Sequence, residues 1–491
     1  MTRFFAAPLF AVPLFAALLA IGSAAAARPE PRTYLDRTMP VPGSAAEVHV
    51  EMRTVTVRAS GEGPRATAGY LSYTVPSQDG DRPVVFAFNG GPGVSSAFLQ
   101  IGALGPWRSN LPSDPRAVPP EVPGLVAGSN GLLPSADLVF IDPPGTGFSE
   151  LPERDAASFA GVANDAAAVA DLIAGWLDGH GRRDAPVYIV GESYGTIRAV
   201  ALLDALAMGD APAKVRGVIL LGQALNMIET SQRPDNVVSH VLALPTLAAL
   251  ACHHRIVEPT CDVEQAIADA EVFGRTTYLA ALFAGRDLPD AERASVAGKL
   301  ASLTGIAADW FLEHDLAVPK ELFREMALAG RGEIMGRYDG RYVSPLPDDP
   351  ARIVATDPSS ALVSFYGKTY LRQLSARFGL AEADRYRIVA YPKADWPYGG
   401  GDTPFADWPF MSVIERHAGQ DRCLRVFVGT GIYDLTTTIG AADYLFARSS
   451  LPRDRYENRR YEGGHMFYSD GGARARLIAD LASFIDSDPC R

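Results

Sequence analysis

Residues 187–195 read Val-Tyr-Ile-Val-Gly-Glu-Ser-Tyr-Gly, and an apolar stretch typical of a helix follows at 197–208. The apolar run predicts a buried strand, and the two glycines permit a tight turn that exposes the serine between them. Such a turn suits a nucleophile, because a hydroxyl must be exposed and lie near a base that removes its proton. A short motif with two glycines can also arise by chance in a chain with 46 glycines. The strand before it and the helix after it favour Ser193 as the nucleophile of an α/β-hydrolase fold.

Two later residues stand where this fold carries its acid and its base. The order along the chain is nucleophile, acid and histidine, and the last two follow late strands of the sheet. Asp434 follows an apolar run at 424–428 through Gly-Thr-Gly, and His465 follows a strand-type stretch at 459–462. The other histidines, among eight in all, lie before the core, in connecting or cap segments, or around position 417. We therefore predict that Ser193, Asp434 and His465 are the catalytic residues.

A glycine-rich loop after an early strand is the candidate for the second half of an oxyanion hole. Residues 89–93 read Asn-Gly-Gly-Pro-Gly and follow the apolar strand 84–88. The oxyanion of an acyl-transfer intermediate needs backbone N–H donors, usually one from this loop and one from the residue after the nucleophile. Gly91 and Tyr194 are the natural pair, although the loop could also be an ordinary tight turn. A phosphate-binding loop is disfavoured, because no Lys-Ser/Thr pair or dinucleotide fingerprint follows.

Apolar runs and helix-type stretches alternate on both sides of the nucleophile. The runs that predict strands are 48–57, 66–75, 84–88, 138–141, 187–190, 215–221, 424–428 and 459–462. The first two are typical of an antiparallel hairpin, and most of the others of parallel strands covered by helices. Between 227 and 420, helical segments follow each other without buried strands. We predict an α/β-hydrolase fold with a mixed, mostly parallel sheet flanked by helices, whose core segments 28–226 and 421–491 enclose an inserted helical cap at 227–420.

Length, composition and net charge limit the classes of molecule that this protein is expected to bind. The chain has 491 residues, 47% hydrophobic residues and a net charge of -12 without a Lys/Arg run. That length exceeds the roughly 250–300 residues of one core, and the negative charge disfavours nucleic acid and anionic membranes as partners. Residues 1–27 combine Arg3, a long apolar run and a final Ala-Ala-Ala, which predicts a signal peptide cleaved near Ala27 rather than a membrane anchor. We expect an exported protein, periplasmic or secreted, without a stable membrane anchor and with a small or peptidic partner.

The four cysteines fit an oxidising compartment. Their positions suggest two pairs, Cys252 with Cys261 and Cys423 with Cys490. Cys252, two adjacent histidines and Cys261 could also be interpreted as a metal cluster. Their spacing matches no standard zinc pattern, so we expect a disulfide, no metal and no cofactor.

Aromatic residues cluster late in the predicted cap. They are Trp396, Tyr398, Trp408 and Phe410, around a run of three glycines. Such side chains could line a substrate cleft, or they could tie the cap to the core, and the sequence does not separate the two interpretations.

Four motifs in the same order resemble those of the serine carboxypeptidases. They are Asn-Gly-Gly-Pro-Gly-Val-Ser-Ser at 89–96, Pro-Gly-Thr-Gly-Phe-Ser at 144–149, Gly-Glu-Ser-Tyr at 191–194 and Gly-His-Met at 464–466. The resemblance spans almost the whole chain after residue 27 except the cap. It implies an α/β-hydrolase with a helical cap that removes C-terminal residues from peptides through a Ser-Asp-His triad. It also implies that Asn89, Gly90 and a protonated Glu192 hold the terminal carboxylate of the substrate.

One departure from the family concerns that recognition. The family usually has a Glu before Leu-Gly-Pro, whereas here Ala103 stands at that position. Two carboxyls that share a proton raise one another's apparent pKa and would explain a preference for acid. With one of them missing, we expect carboxypeptidase activity that is less confined to acid.

Other functions use the same machinery. An exported aminopeptidase of the prolyl or tripeptidyl type shares the Gly-Gly-Pro-Gly and Gly-x-Ser-Tyr-Gly motifs, and Ala103 keeps it a rival. An esterase or acyltransferase remains open as well. A non-enzymatic binding module is the least favoured alternative, because Ser193, Asp434 and His465 are all present. The sequence indicates neither the side-chain preference nor the oligomeric state.

Overall fold

The computed structural model describes residues 29–41, 47–59, 63–76, 82–127, 131–208, 212–233, 235–258, 260–399 and 408–490. The predicted signal peptide at 1–27 lies outside these residues. Within them the strands are β1 (Arg32–Met39), β2 (Val48–Arg58), β3 (Arg65–Thr74), β4 (Val84–Phe88), β5 (Trp107–Ser109), β6 (Leu125–Ala127), β7 (Asp137–Asp142), β8 (Val187–Glu192), β9 (Val215–Leu221), β10 (Glu333–Met335), β11 (Val343–Pro345), β12 (Arg425–Gly431) and β13 (Tyr456–Tyr461).

Most of the helices lie between the strands of the core or in the predicted cap. The α-helices are α1 (Ala156–Phe159), α2 (Val162–Gly179), α3 (Tyr194–Ala207), α4 (Met227–Thr230), α5 (Val237–His253), α6 (Val263–Phe273), α7 (Leu279–Ala284), α8 (Asp290–Thr304), α9 (Ala308–Glu313), α10 (Lys320–Met326), α11 (Pro350–Ala355), α12 (Ser360–Arg372), α13 (Phe410–Gln420), α14 (Ile439–Ala447) and α15 (Gly471–Asp486). Two short turns matter for the site: a π-helical turn at Leu99–Leu104 and a 3-10 turn at Phe467–Ser469.

Nine strands form one sheet in the order β1-β2-β3-β7-β4-β8-β9-β12-β13. The first three strands and β7 pair antiparallel, and all pairs from β7 to β13 are parallel. The strands in the middle of this sheet, β7, β4, β8, β9 and β12, are short and almost wholly buried, as expected where helices cover both faces of a parallel sheet. The mixed, mostly parallel sheet flanked by helices confirms the predicted fold class.

The register brings the ends of four strands to the same edge. Phe88 of β4 pairs with Gly191 of β8, and Glu192 pairs with Leu221 of β9. Leu221 in turn lies opposite Gly429 of β12, which pairs with β13. In open α/β sheets the carboxyl ends of parallel strands form the edge where sites are built. The loops with Asn89, Ser193, Asp434 and His465 therefore leave the sheet on one side.

Helices cover both faces of the sheet, and the cap contributes a third apolar cluster. One face packs on α12 and α15, and the other on α2, α3, α13 and α14. A separate cluster joins α5 to α10 of the predicted cap to the apolar residues around Tyr433. The cap region is not purely helical, because β10 and β11 form a small antiparallel hairpin. Helix α13 lies before residue 420 but packs against α3, and the boundaries at 226 and 420 stay predictions.

Both predicted cysteine pairs are joined. Cys252 bonds to Cys261 across 9 residues, and Cys423 bonds to Cys490 across 67 residues. The second bond fastens the chain after α15 to the start of β12. Because Cys252 and Cys261 are bonded to each other, their sulfurs are not free thiolates for the metal cluster considered above.

Within the described ranges, no single helix is both long enough and apolar enough to cross a membrane. The bent pair Glu153–Phe159 and Val162–Gly179 meets the length and composition criteria only when its two helices are counted together.

Candidate active site

Ser193 stands at the sharp turn between β8 and α3. Its backbone has φ 57° and ψ -127°, a conformation that costs a non-glycine residue about 1–3 kcal/mol. Its amide donates to the carbonyl of Leu221 at 2.9 Å, and its carbonyl accepts from the amide of Thr196, also at 2.9 Å. A Cβ on Gly191 would lie 2.0 Å from the carbonyl oxygen of Gly195. This crossing of the chain explains why the turn needs a glycine at 191.

Asp434 and His465 meet in the interior. The Nδ1 atom of His465 lies 2.7 Å from Oδ2 of Asp434, which is fully buried. Three further donors hold the carboxylate: the amides of Thr436 and Thr437 at 2.7 and 3.0 Å, and the Thr437 hydroxyl at 2.5 Å. A carboxylate so placed fixes the tautomer that carries its proton on Nδ1. The other ring nitrogen, Nε2, is then available as a base.

The imidazole lies beside the end of β9. A Cβ on Gly222 would stand 3.0 Å from Cε1 of His465, and the preceding Leu221 carbonyl accepts the Ser193 amide. Serine and histidine thus flank the same turn. Nε2 of His465 is buried and has no hydrogen-bond partner among the described residues. Hydrogen bonds of this kind are often long without a substrate and tighten in the complex.

The electrostatics favour a histidine that accepts a proton. Burial by itself lowers the pKa of His465, but the Asp434 carboxylate outweighs it and the net pKa lies above the ordinary value. The amide of His465 also donates to the Tyr338 carbonyl at 2.5 Å, and the two rings lie 5.5 Å apart. Tyr338 therefore ties the predicted cap to the histidine loop.

Gly90 and Gly91 bring the glycine loop against the nucleophile turn. A Cβ on Gly90 would lie 2.6 Å from the backbone nitrogen of Tyr194, so only glycine permits this approach. Gly91 has φ 107°, which also favours glycine. The backbone before Gly91 is consequently packed against the amide of Tyr194. This is the arrangement expected of paired oxyanion donors.

Glu192 is a buried carboxyl directly before the nucleophile. It is 4% exposed, and its Oε2 accepts a hydrogen bond from the Tyr468 hydroxyl at 2.5 Å. Burial raises the pKa of Glu192, and His465, Tyr468 and Asn89 offset only part of that rise. The Asn89 side chain is held in turn, because its Oδ1 accepts from the Leu99 amide at 3.1 Å. A carboxyl with a raised pKa can hold a proton and act as a donor.

A buried ion pair supports both neighbours of the nucleophile. Asp165 on α2 accepts from the Tyr194 hydroxyl at 2.8 Å and from the Arg198 guanidinium at 2.7 Å. Arg198 also donates to the Asn89 carbonyl at 2.8 Å. The indole of Trp396 donates to the Tyr194 hydroxyl at 3.1 Å. This network holds the glycine loop, the helix after Ser193 and the segment around Trp396 in one arrangement.

A cavity of about 900 Å³ opens where the cap segment meets the glycine loop. The amide of Ala390 donates to the Gly93 carbonyl at 2.7 Å, and the Ser95 amide donates to the Ile388 carbonyl at 3.0 Å. Trp396 lines this cavity and also donates to the Tyr194 hydroxyl, so it ties the cap segment to the helix after Ser193. Its place in a substrate cleft stays a prediction, because the residues that line the cavity do not include Ser193, Asp434 or His465. Tyr398 and Trp408 stack on each other, with ring centroids 5.3 Å apart.

Sequence reasoning missed two side chains of the site. Thr437 was not singled out, although a hydroxyl three residues after a candidate acid is a simple signal. Tyr468 also went unnoticed, three residues after His465. A search for a donor to replace the carboxyl absent at Ala103 could have suggested it.

Residues 65–222 match the family model described as serine carboxypeptidase. The chain is similar to the serine carboxypeptidases. The resemblance predicted from the four motifs is thereby confirmed for the part of the chain that includes Asn89, Glu192 and Ser193. The matched family is one of hydrolases that act on peptides, which supports a serine hydrolase. No curated protein sequence matches the chain.

The chain is similar to several solved structures. The prohormone-processing carboxypeptidase Kex1(delta)p of Saccharomyces cerevisiae is 15% identical with a TM-score of 0.50, covering 90% of this chain and 92% of that chain. A putative hydrolase from Agrobacterium vitis S4 is 15% identical with a TM-score of 0.36, covering 89% and 99%. Proline iminopeptidase from Mycobacterium smegmatis is 13% identical with a TM-score of 0.36, covering 89% and 98%. At such identities the first likeness concerns the fold alone, and it is that of the α/β-hydrolases.

Proposed function

We propose that the protein is a serine carboxypeptidase that releases C-terminal residues from peptides through an acyl-enzyme. The observation that carries this proposal is the buried Glu192, whose raised pKa favours the protonated form one residue before the nucleophile. A protonated carboxyl there can donate a hydrogen bond to the terminal carboxylate of a substrate. Asn89 and Gly90, on the loop packed against the same turn, complete the group that would hold this carboxylate.

The reaction follows from the roles of the remaining residues. The Ser193 hydroxyl attacks the carbonyl of the last peptide bond while Nε2 of His465 takes its proton. Asp434 orients the imidazole and stabilises its protonated form, and the amides of Gly91 and Tyr194 hold the oxyanion. His465 then gives the proton to the leaving amino group, which departs as the free C-terminal residue. Water attacks the acyl-enzyme with His465 again as the base, and Ser193 is regenerated.

Substrate polarity separates this proposal from aminopeptidase action. The test offers N-blocked peptides with a free C-terminus beside free-amine peptides with an amidated C-terminus. We expect cleavage of the first set from the C-terminal end. Cleavage of the second set alone would contradict the carboxypeptidase proposal and favour an aminopeptidase, in which an ionised Glu192 would pair with an amine.

The nucleophile has its own test. We expect Ser193→Ala to lower kcat by about 10⁴-fold or more, as removal of a triad serine does elsewhere. Labelling by a serine-directed fluorophosphonate checks the same residue without a substrate. A folded wild-type protein that fails to label at neutral pH would point instead to a non-enzymatic binding module.

Export belongs to the same proposal. The disulfides Cys252–Cys261 and Cys423–Cys490 fit an oxidising compartment. We propose that residues 1–27 are removed as a signal peptide and that the protein acts in the periplasm or outside the cell. N-terminal sequencing of protein recovered from these fractions is the test, and a first residue near Arg28 is expected.

A further inference from the structure

The environment of Glu192 contains an unexpected partner. Where the family resemblance calls for a second carboxyl, the chain has Ala103, which is fully buried in the turn Leu99–Leu104. The adjacent Gly102 touches the ring of Tyr468, because a Cβ on Gly102 would lie 2.6 Å from Cε2 of that ring. The hydroxyl of the same ring donates to Glu192. A tyrosine from the histidine loop thus lies beside position 103 and reaches Glu192, for which Ala103 supplies no carboxyl partner.

We propose that Tyr468 is a positioning residue for substrate recognition, whose hydroxyl replaces the second carboxyl by fixing Oε2 of Glu192 and leaving Oε1 to donate to the terminal carboxylate of the peptide. This inference rests on the carboxypeptidase proposal. It deepens that proposal by naming the group that holds Glu192 in the donating geometry.

A tyrosine differs from a carboxyl in one decisive respect. Burial and the neighbouring Glu192 raise the pKa of Tyr468 well above its ordinary value, so the hydroxyl stays a donor throughout the working range. Two carboxyls share a proton and titrate as a pair, whereas a tyrosine next to Glu192 leaves a single titration. Recognition of the substrate should then be lost in one step as the pH rises through the pKa of Glu192.

Other charged or titratable groups also face Glu192. His465 lowers its pKa and Asp434 raises it. Burial raises the pKa of Tyr366 on α12, and Glu192 adds to that rise. The hydrogen bond from Tyr468 favours the ionised form, since a hydroxyl donates more strongly to a carboxylate than to a neutral acid. Removal of this hydroxyl should therefore raise the pKa of Glu192 further. This predicted rise in the pKa of Glu192 differs from the effect of a damaged structure. A damaged structure would lower activity at every pH.

The experiment compares Tyr468→Phe with wild type in pH profiles of kcat and KM on N-blocked peptides. The increase of KM at alkaline pH should move upward by about one pH unit, the order expected for one hydrogen bond to a charged group. The double variant Tyr468→Phe with Glu192→Gln should behave like Glu192→Gln alone. The matched control Tyr366→Phe removes a hydroxyl from a ring packed against Tyr468, with ring centroids 6.4 Å apart, and should leave the alkaline limb in place.

A uniform loss of activity, with no shift in the pH at which KM rises, would overturn the inference. A shift of that pH that persists in the Glu192→Gln background would overturn it as well. A direct titration of the Glu192 carboxyl distinguishes failure of the role of Tyr468 from failure of the carboxypeptidase proposal. Infrared difference spectroscopy follows the protonated carboxyl of Glu192 without a substrate, using Glu192→Gln to assign the band. If no peptide with a free C-terminus is cleaved, carboxypeptidase action fails, yet the infrared midpoint should still rise in Tyr468→Phe. If the infrared midpoint of Glu192 is the same in Tyr468→Phe and wild type, the role proposed for Tyr468 is wrong, whichever substrate the protein cleaves.

Discussion

Two buried carboxyls flank His465, and their surroundings differ sharply. Asp434 receives four hydrogen bonds, from two amides, one hydroxyl and the imidazole. Glu192 receives the Tyr468 hydroxyl, and its buried position raises its pKa. Both side chains belong to the same edge of the sheet and lie close enough to His465 to raise its pKa. The four donors suit Asp434 to accept hydrogen bonds, whereas the raised pKa of Glu192 favours a carboxyl that holds a proton.

The comparison indicates how one fold can use two like groups for opposite tasks. Burial disfavours the charged form of Glu192 and raises its pKa, whereas the carboxylate of Asp434 is surrounded by hydrogen-bond donors. At Asp434 three of the four donors come from the loop that follows β12, which makes most of the arrangement local. At Glu192 the donor comes from a residue 276 positions away. Substitutions at each site should therefore have effects that differ in kind as well as in size.

The largest effect is expected at Asp434. Asp434→Asn should leave the fold intact and lower kcat by about 10⁴-fold, because the amide favours the wrong tautomer of His465. Steady-state kinetics with an N-blocked peptide measures this loss. Turnover within about tenfold of wild type would show that Asp434 does not orient His465. The contrast drawn between Asp434 and Glu192 would then be wrong for Asp434.

A smaller and pH-dependent effect is expected at Glu192. Glu192→Gln keeps a donor but cannot ionise, so KM should lose the rise that wild type shows as the pH increases through the raised pKa. Stability gives a second readout. Because the folded-state pKa lies above its value in the unfolded chain, wild type should lose free energy of unfolding as the pH rises through the folded-state pKa. Urea unfolding across this range should show a smaller loss in the variant, and equal slopes would contradict a buried carboxyl that prefers its proton.

The smallest effect is expected from one of the four donors to Asp434. Thr437→Val removes a hydroxyl but keeps the amide, and the loss of about 1 kcal/mol should lower kcat by about 5-fold. Thr430→Val is the matched control, since this buried hydroxyl on β12 has no hydrogen-bond partner among the described residues. If both variants lose the same activity, the donor to Asp434 carries no special role.

Two features of the fold that the apolar runs do not predict have separate physical causes. Strand β1 was not predicted, because it lies at the edge of the sheet and most of its side chains are exposed, which weakens the apolar alternation. The Ala-rich stretch 156–177 contributes to two helices, α1 and α2, because the chain turns at Gly161, whose φ is 88°. Buried strands such as β4 and β9 were predicted with the observed bounds, since an unbroken apolar run is a strong local signal.

The sequence by itself determined the strand, turn and helix around Ser193, the order of Asp434 and His465 behind it, and the pairing of the cysteines. These features depend on apolar runs, glycine positions and spacing, which are written locally in the chain. Only the tertiary structure decided that Tyr468 reaches Glu192 and that Asp434 and Glu192 have such different surroundings. Contacts between residues hundreds of positions apart depend on how helices and turns pack, and the burial that results raises the pKa of Glu192.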